Sequence, residues 1–368
     1  MSGLMQGSGA WIRLGFAVSV LAAAWLPKAA GAQPSPEVLL ALVAALVLAF
    51  AAEARGITAR LVALVLLGVA IAFAGLELAF AQQGGEGGAF WAAFAAVWLG
   101  AWVLVAQIAN LPRRRGVLGL IAPLLFGASI LWAWQTVVQA LSVPRVILPA
   151  PSEIAARFAQ STDTLWIDLV QTFGRGALSG FAIGCGAAFV FALIVDRYRF
   201  LRQGLLPVGN FLAALPIIGT APIFVMWFGF DWPSKAAVVV AMVFFPMLVN
   251  TVQGLAATDS MQRDLMHTYS ASWAQTLIRL RLPAAMPFIF NGLKICATLA
   301  LIGAIVAEFF GSPTYGMGFR ISTEVGRLQL DMVWAEIATA ALLGSAFYGV
   351  WALLERRVTF WHPSQRSR

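Results

Sequence analysis

Ten long apolar runs dominate the chain, at about residues 10–26, 38–54, 59–80, 89–109, 116–142, 171–195, 204–229, 233–256, 286–310 and 332–354. Most come close to the ~20 residues that a helix needs to cross a bilayer. Apolar residues fill the runs continuously instead of alternating with period two, which predicts helices and argues against a barrel. The fold class expected is an all-α polytopic membrane protein with about ten transmembrane helices. The first run is the weakest. It is short and precedes Ala30-Gly31-Ala32, which can be read as a signal-peptidase site, although Pro27 and Lys28 fit poorly before one. The topology of the later runs is the same with or without cleavage.

The segments between runs are unequal in charge. Arg55 and Arg60, the run Arg113-Arg114-Arg115, the group Arg197, Arg199 and Arg202, a polar insert at 257–285, and Arg356-Arg357 fall on one side. The excess of positive charge makes that side the cytoplasm. Loops such as 82–88 and 231–235 are poorer in positive charge, while Arg145, Arg157, Arg320 and Arg327 fall outside. The best internal boundary is Leu111-Pro112-Arg113-Arg114-Arg115-Gly116. Before it lie four spans almost without polar side chains; after it lie six with prolines, amides and the polar insert. An accessory membrane region at 1–110 and a six-helix core at 111–368 are therefore expected.

Composition sharpens this picture. The 368 residues are 61% hydrophobic and only 11% charged, against roughly 25% charged in soluble domains. The net charge of +8 sits in short clusters at the ends of apolar runs, where membrane orientation explains it, so no nucleic-acid partner is inferred. Cys185 and Cys296 lie inside apolar runs and read as small buried residues, with no disulfide framework. His267 and His362 have no cysteine or acidic cluster at metal-ligand spacing. The phosphate-loop pattern G-x-x-x-x-G-K-[ST] is missing, so the chain is not expected to hydrolyse ATP by itself.

The insert at 257–285 is the most informative stretch. Asp264-Leu265-Met266-His267-Thr268-Tyr269-Ser270 is followed after nine residues by Leu280-Arg281-Leu282-Pro283. This spacing resembles the cytoplasmic coupling loop of ABC-importer permeases: Glu-Ala-Ala, three residues, Gly, nine residues, Ile, one residue, Leu-Pro. Asp264 stands at the Glu position, Ser270 at the Gly and Leu280 at the Ile, while Leu282-Pro283 match outright. The likeness continues through Ile147-Leu148-Pro149-Ala150-Pro151-Ser152-Glu153, Pro222 to Gly229, Gly292-Leu293-Lys294, Ile302 to Phe309 and Tyr315-Gly316-Met317-Gly318. From about residue 116 onward the chain resembles the nitrate, sulfonate, taurine and thiamine-precursor class of these permeases. Residues 1–110 are not covered.

The resemblance implies a type I importer permease core whose coupling loop, with Asp264, Leu265, Met266, Ser270, Leu280, Leu282 and Pro283, docks on a dimer of a separate ATPase. It further implies an extracytoplasmic solute-binding protein, a permease homodimer in membrane lipid, and ATP and Mg used by the partner with no cofactor on this chain. Within the loop, two short helices meeting near Ser270 are expected. Asp264 would lie within reach of the turn, and Pro283 would end the second helix. An ordinary interfacial helix on anionic lipid is the alternative use of such a segment.

Prolines at 207, 216, 222 and 246 suggest interrupted helices, which can face a polar cavity or simply be kinked against neighbours. Asn210, Thr220, Asn250, Gln253 and Asn291 are the candidate pathway-lining residues, with inter-helix hydrogen bonds as the plainer reading. Glu308 and Glu336 are expected to pair with Arg320 or Arg327 or to reach interfacial water, with no accompanying chain of acids. Gly176, Gly180 and Gly184 allow close helix contact, within a subunit or between two. A self-sufficient carrier driven by an ion gradient is the second reading. It needs protonatable groups near the bilayer midplane, whereas the charges here sit mostly at span ends. The residues look closest to permeases for pyrimidine precursors of thiamine.

Overall fold

A computed structural model describes residues 12, 14–23, 35–51, 57–79, 88–109, 117–198, 200–201, 204, 216–311 and 314–362. Among these the protein is helical throughout. Six helices are long and apolar enough to cross a membrane: Gly88–Ala109, Ile121–Ala140, Thr162–Arg197, Trp232–Ala256, Trp273–Gly311 and Leu330–Val358. Four shorter apolar helices, Leu14–Ala23, Pro36–Ala49, Val62–Leu78 and Ile217–Phe228, fall on the remaining expected spans. Asn210, Pro207 and the Arg113-Arg114-Arg115 run lie outside the described residues.

We number the helices α1 (Leu14–Ala23), α2 (Pro36–Ala51), α3 (Ile57–Ala79), α4 (Gly88–Ala109), α5 (Ile121–Ala140), α6 (Pro151–Gln160), α7 (Thr162–Leu169), α8 (Leu178–Arg197), α9 (Ile217–Phe228), α10 (Trp232–Ala256), α11 (Ser260–Thr268), α12 (Trp273–Thr276), α13 (Leu282–Gly311), α14 (Met317–Gly326) and α15 (Leu330–Val358). The chain forms two compact units, Met1–Ala155 and Ala156–Arg368. The polar break at 110/111 is thus not where the compact units divide, because α5 packs with the N-terminal helices. Its Trp132 indole donates to the Gly75 carbonyl of α3 at 2.7 Å and stacks on Phe94 of α4. In the first unit, Phe16, Leu42, Leu67, Phe90 and Ala93 form an apolar core. Leu40, Val65 and Val69 remain exposed, as lipid-facing positions should.

The second unit is built around α10, which small residues bring close to its neighbours. Gly180 and Gly184 of α8 leave no room for a Cβ beside Val239 and Val243. Gly254 meets Ala285 and Phe288 of α13, while Gly292 and Gly303 of α13 meet Met247 and Val239 in return. In lipid, where apolar burial gives little preference for one helix partner over another, such backbone approach is a main source of association. The glycine ladder of α8 therefore packs within the subunit, against α10. Cys185 and Cys296 are buried and unbridged in the same core.

Helix irregularity concentrates in two π turns. Val170–Ala177 joins α7 to α8, and Leu277–Arg281 joins α12 to α13. By contrast, Pro222, Pro246 and Pro287 sit inside continuous helices. A π turn inserts a residue into the ladder and re-aims the side chains beyond it. The first of these turns carries Thr172 and the second carries Arg281, and each side chain is aimed into a polar cluster at one end of the unit.

Candidate functional site

The polar insert folds as two short helices around one tight turn. Asp259 caps α11 by accepting from the Met261 N–H. At the other end, Ser270 donates its N–H to the His267 carbonyl and Ala271 to that of Met266. This pair of bonds is the glycine-type helix stop, whose pivot residue takes the left-handed conformation. Ser270 occupies that pivot with φ of 53°, so the turn explains why glycine suits the position. Serine there carries a strain of roughly 1 kcal/mol. The next helix begins at once: Ser272 Oγ accepts from the Gln275 N–H while Gln275 Oε1 accepts from the Ser272 N–H, a capping box.

Pro283 does not end this second helix, contrary to the expectation from sequence. Residues Trp273–Gly311 run as one helix of 39 residues. The π turn at Leu277–Arg281 comes immediately before Leu282 and Pro283, and its shifted hydrogen bonds let the helix pass the proline without a break. The polar insert is thereby continuous with a membrane-spanning helix.

No residue of α11 is buried. Met261, Leu265 and Tyr269, four residues apart, are 77%, 56% and 78% exposed, which places an apolar stripe on one helix face. A bare apolar stripe of this kind suits contact with another protein or with the membrane surface. Asp264 and Ser270 are exposed beside it, and Met266, Leu280, Leu282 and Pro283 are half-buried. The Asp264 carboxylate makes no hydrogen bond or ion pair among the described residues. Only its backbone carbonyl is engaged, by the Thr268 hydroxyl at 2.9 Å. The turn holds itself through the backbone, so Asp264 faces outward.

Residues 180–360 match the family model for the binding-protein-dependent transport system inner membrane component. A riboflavin transport system permease protein of Chloroflexus aurantiacus is 31% identical over 233 residues, covering 63% of this chain and 86% of that protein. A formylaminopyrimidine transport permease protein of Halalkalibacterium halodurans is 30% identical over 247 residues, 66% and 96%. A putative aliphatic sulfonates transport permease protein of Bacillus subtilis is 30% identical over 243 residues, 66% and 87%. The chain is an ABC importer permease. It is a multi-pass protein of the inner membrane and a transport subunit.

In this permease the polar insert is tied to the membrane helices by residues that sequence reading undervalued. Arg281 forms a bidentate pair with Asp196 at the end of α8, at 2.7 and 2.6 Å, with the Asp196 side chain only 2% exposed. The same guanidinium donates twice to the Leu255 carbonyl at the end of α10, at 3.0 and 2.9 Å. Next to Asp196, Arg197 lies over the Trp273 ring at 5.0 Å. Lys294 of α13 pairs with Glu355 of α15 at 2.7 Å. The available signal for Asp196 was one acid at the end of an apolar run, directly before a basic cluster.

Of the expected pathway residues, the fold brings two together: Asn291 of α13 donates to Asn250 of α10 at 3.1 Å. Asn250 also donates to the Pro246 carbonyl at 2.8 Å. Thr220 bonds back to Ile217 on its own helix, and Gln253 is exposed one turn beyond Asn250. Asn210 lies outside the described residues. A helix-to-helix amide bond is thus what the structure shows at Asn250 and Asn291.

The opposite end of the unit holds a buried polar network that differs from expectation. Glu308 does not pair with Arg320 or Arg327 and does not reach the surface. It is 1% exposed and accepts from the Thr172 hydroxyl at 2.8 Å and the Gly318 N–H at 2.9 Å. Arg320 pairs with Asp168 at 2.8 Å, and Arg327 with Glu324 at 3.2 Å. Asp168, fully buried, also accepts from the Gly316 N–H at 2.7 Å, and the Met317 N–H donates to Thr172. Burial works against the Arg320 charge, and the hydrogen bond and charge of Asp168 more than offset it, raising its pKa. Glu336 of α15, also fully buried, lies near Asp168, Arg320 and Glu308. Acids do accompany one another here because α7, α13 and α15 converge, a meeting that no sequence spacing reveals.

Proposed function

We propose that this permease forms the solute channel of an ATP-driven importer and works by alternating access, with the coupling segment as its ATPase contact. The bare apolar stripe Met261, Leu265 and Tyr269, on a helix that buries nothing itself, carries this reading. A dimer of ATPase subunits, using ATP and Mg, would cover that stripe. A binding protein would deliver solute to the opposite side, and two copies of this chain would line the path. Against the ion-gradient alternative, Asp168 and Glu308 accept from the backbone N–H groups of Gly316 and Gly318 and so hold the start of α14.

For the solute we propose a small polar nitrogen heterocycle of the kind named for two of the relatives, riboflavin and formylaminopyrimidine. A sulfonate, named for the third, is the competing choice. The binding protein recovered with the permease decides between them. Its thermal midpoint is expected to rise with a pyrimidine or flavin and to stay unchanged with taurine or alkyl sulfonates. A rise with sulfonates alone would reverse the assignment.

A further inference from the structure

We propose that Arg281 is a positioning residue for transport, and that its bond to Asp196 is the strut carrying motion of the coupling segment into α8. The proposal rests on the reading of the coupling segment as the ATPase contact and deepens it. The first residue of α12 and the last residue of the π turn that follows it are held by consecutive residues of α8: Trp273 by Arg197, and Arg281 by Asp196. The first hold is a cation over a ring. The second is a planar fork on a carboxylate, the geometry that resists rotation most.

The strut has a third leg. Arg281 uses its remaining reach on the Leu255 carbonyl, in the last turn of α10, which immediately precedes the first coupling helix. Such a carbonyl has no partner within its own helix. One guanidinium therefore joins the ends of α8 and α10 at the point where α13 begins. Asp196 is almost wholly buried while Arg281 is 13% exposed, so neither can turn away to water at no cost. Leu265 and Tyr269, the docking face, lie on another helix and do not take part. Docking and transmission are thus assigned to different residues, and can be separated.

The test uses the full permease with the ATPase that co-purifies from native membranes, in nanodiscs. A single thiol is introduced as Tyr198→Cys at the end of α8, where the native side chain is 59% exposed; Cys185 and Cys296, at 5% and 0%, label slowly. Its labelling rate is compared without nucleotide and after trapping with ATP and vanadate. The wild-type background is expected to show a change of about tenfold. Arg281→Asp and Asp196→Arg should each keep the bound ATPase but flatten that change, and the double swap, which rebuilds the pair but not the bond to Leu255, should restore it in part. Asp196→Asn, which removes the charge with little change of shape, is read in the same way should the reversals fail to accumulate in the membrane. A merely structural pair would lower stability without being rescued in labelling. The proposal is overturned if the wild-type rate ignores nucleotide, if the single variants still respond, or if the swap stays flat while ATPase remains bound. An absence of ATPase from the wild-type preparation would instead count against the importer reading.

Discussion

The two ends of the second unit handle polarity in opposite ways. At one end Asp168, Thr172 and Glu308 are buried and bonded into the loop that leads to α14. At the other, α11 buries nothing and turns Met261, Leu265 and Tyr269 outward. Buried charge is stabilising only where its partners are in place, and at the first end Asp168 and Thr172 find theirs within the chain. On α11 the apolar side chains are left open to the surroundings.

Removing a buried partner should have the largest effect. Asp168→Ala leaves the Arg320 guanidinium and the Gly316 N–H without their acceptor and should cost about 3 kcal/mol, read as a lower midpoint of denaturant unfolding in detergent. Equal stability to wild type would mean that this end is not held by its network. Ser270→Gly should act in the other direction. It relieves a positive φ and should stabilise the turn by roughly 1 kcal/mol, without loss of ATPase binding. A destabilised Gly variant would show that the turn is held by the serine hydroxyl instead of the backbone. Smallest of all, Met261→Ser or Tyr269→Ser should move the midpoint of the isolated permease by no more than about 0.5 kcal/mol, because these side chains touch little within the chain. A large loss would place them in a core and remove the contrast between the two ends.

The spans were legible because their signal is local: the run at 89–109 became a helix at Gly88–Ala109, and 233–256 became Trp232–Ala256. The coupling turn was legible in outline, since Ser270 and Ser272 belong to residue types that stop and start helices. What stayed hidden depends on contacts between distant segments. Helix α5 joins the N-terminal unit through the Trp132 bond to Gly75 and its stack on Phe94, and no hydropathy break reports that. The π turns depend on which carbonyl a given N–H selects, so Pro283 looked like a stop and is not one. Asp168 was overlooked because it precedes the apolar run that was read as starting at 171, although the helix extends back to Thr162. Its role depends on α14, about 150 residues away in sequence, folding back onto α7.

The most direct test of the central claim is purification of the tagged permease from native membranes in mild detergent, with quantification of the ATPase subunit that accompanies it. The account predicts an ATPase in stoichiometric amount with wild type, and its loss when Leu265 is changed to Arg, with the permease itself still folded. A wild-type permease that emerges alone even after cross-linking, or a Leu265→Arg variant that retains its ATPase in full, would contradict it.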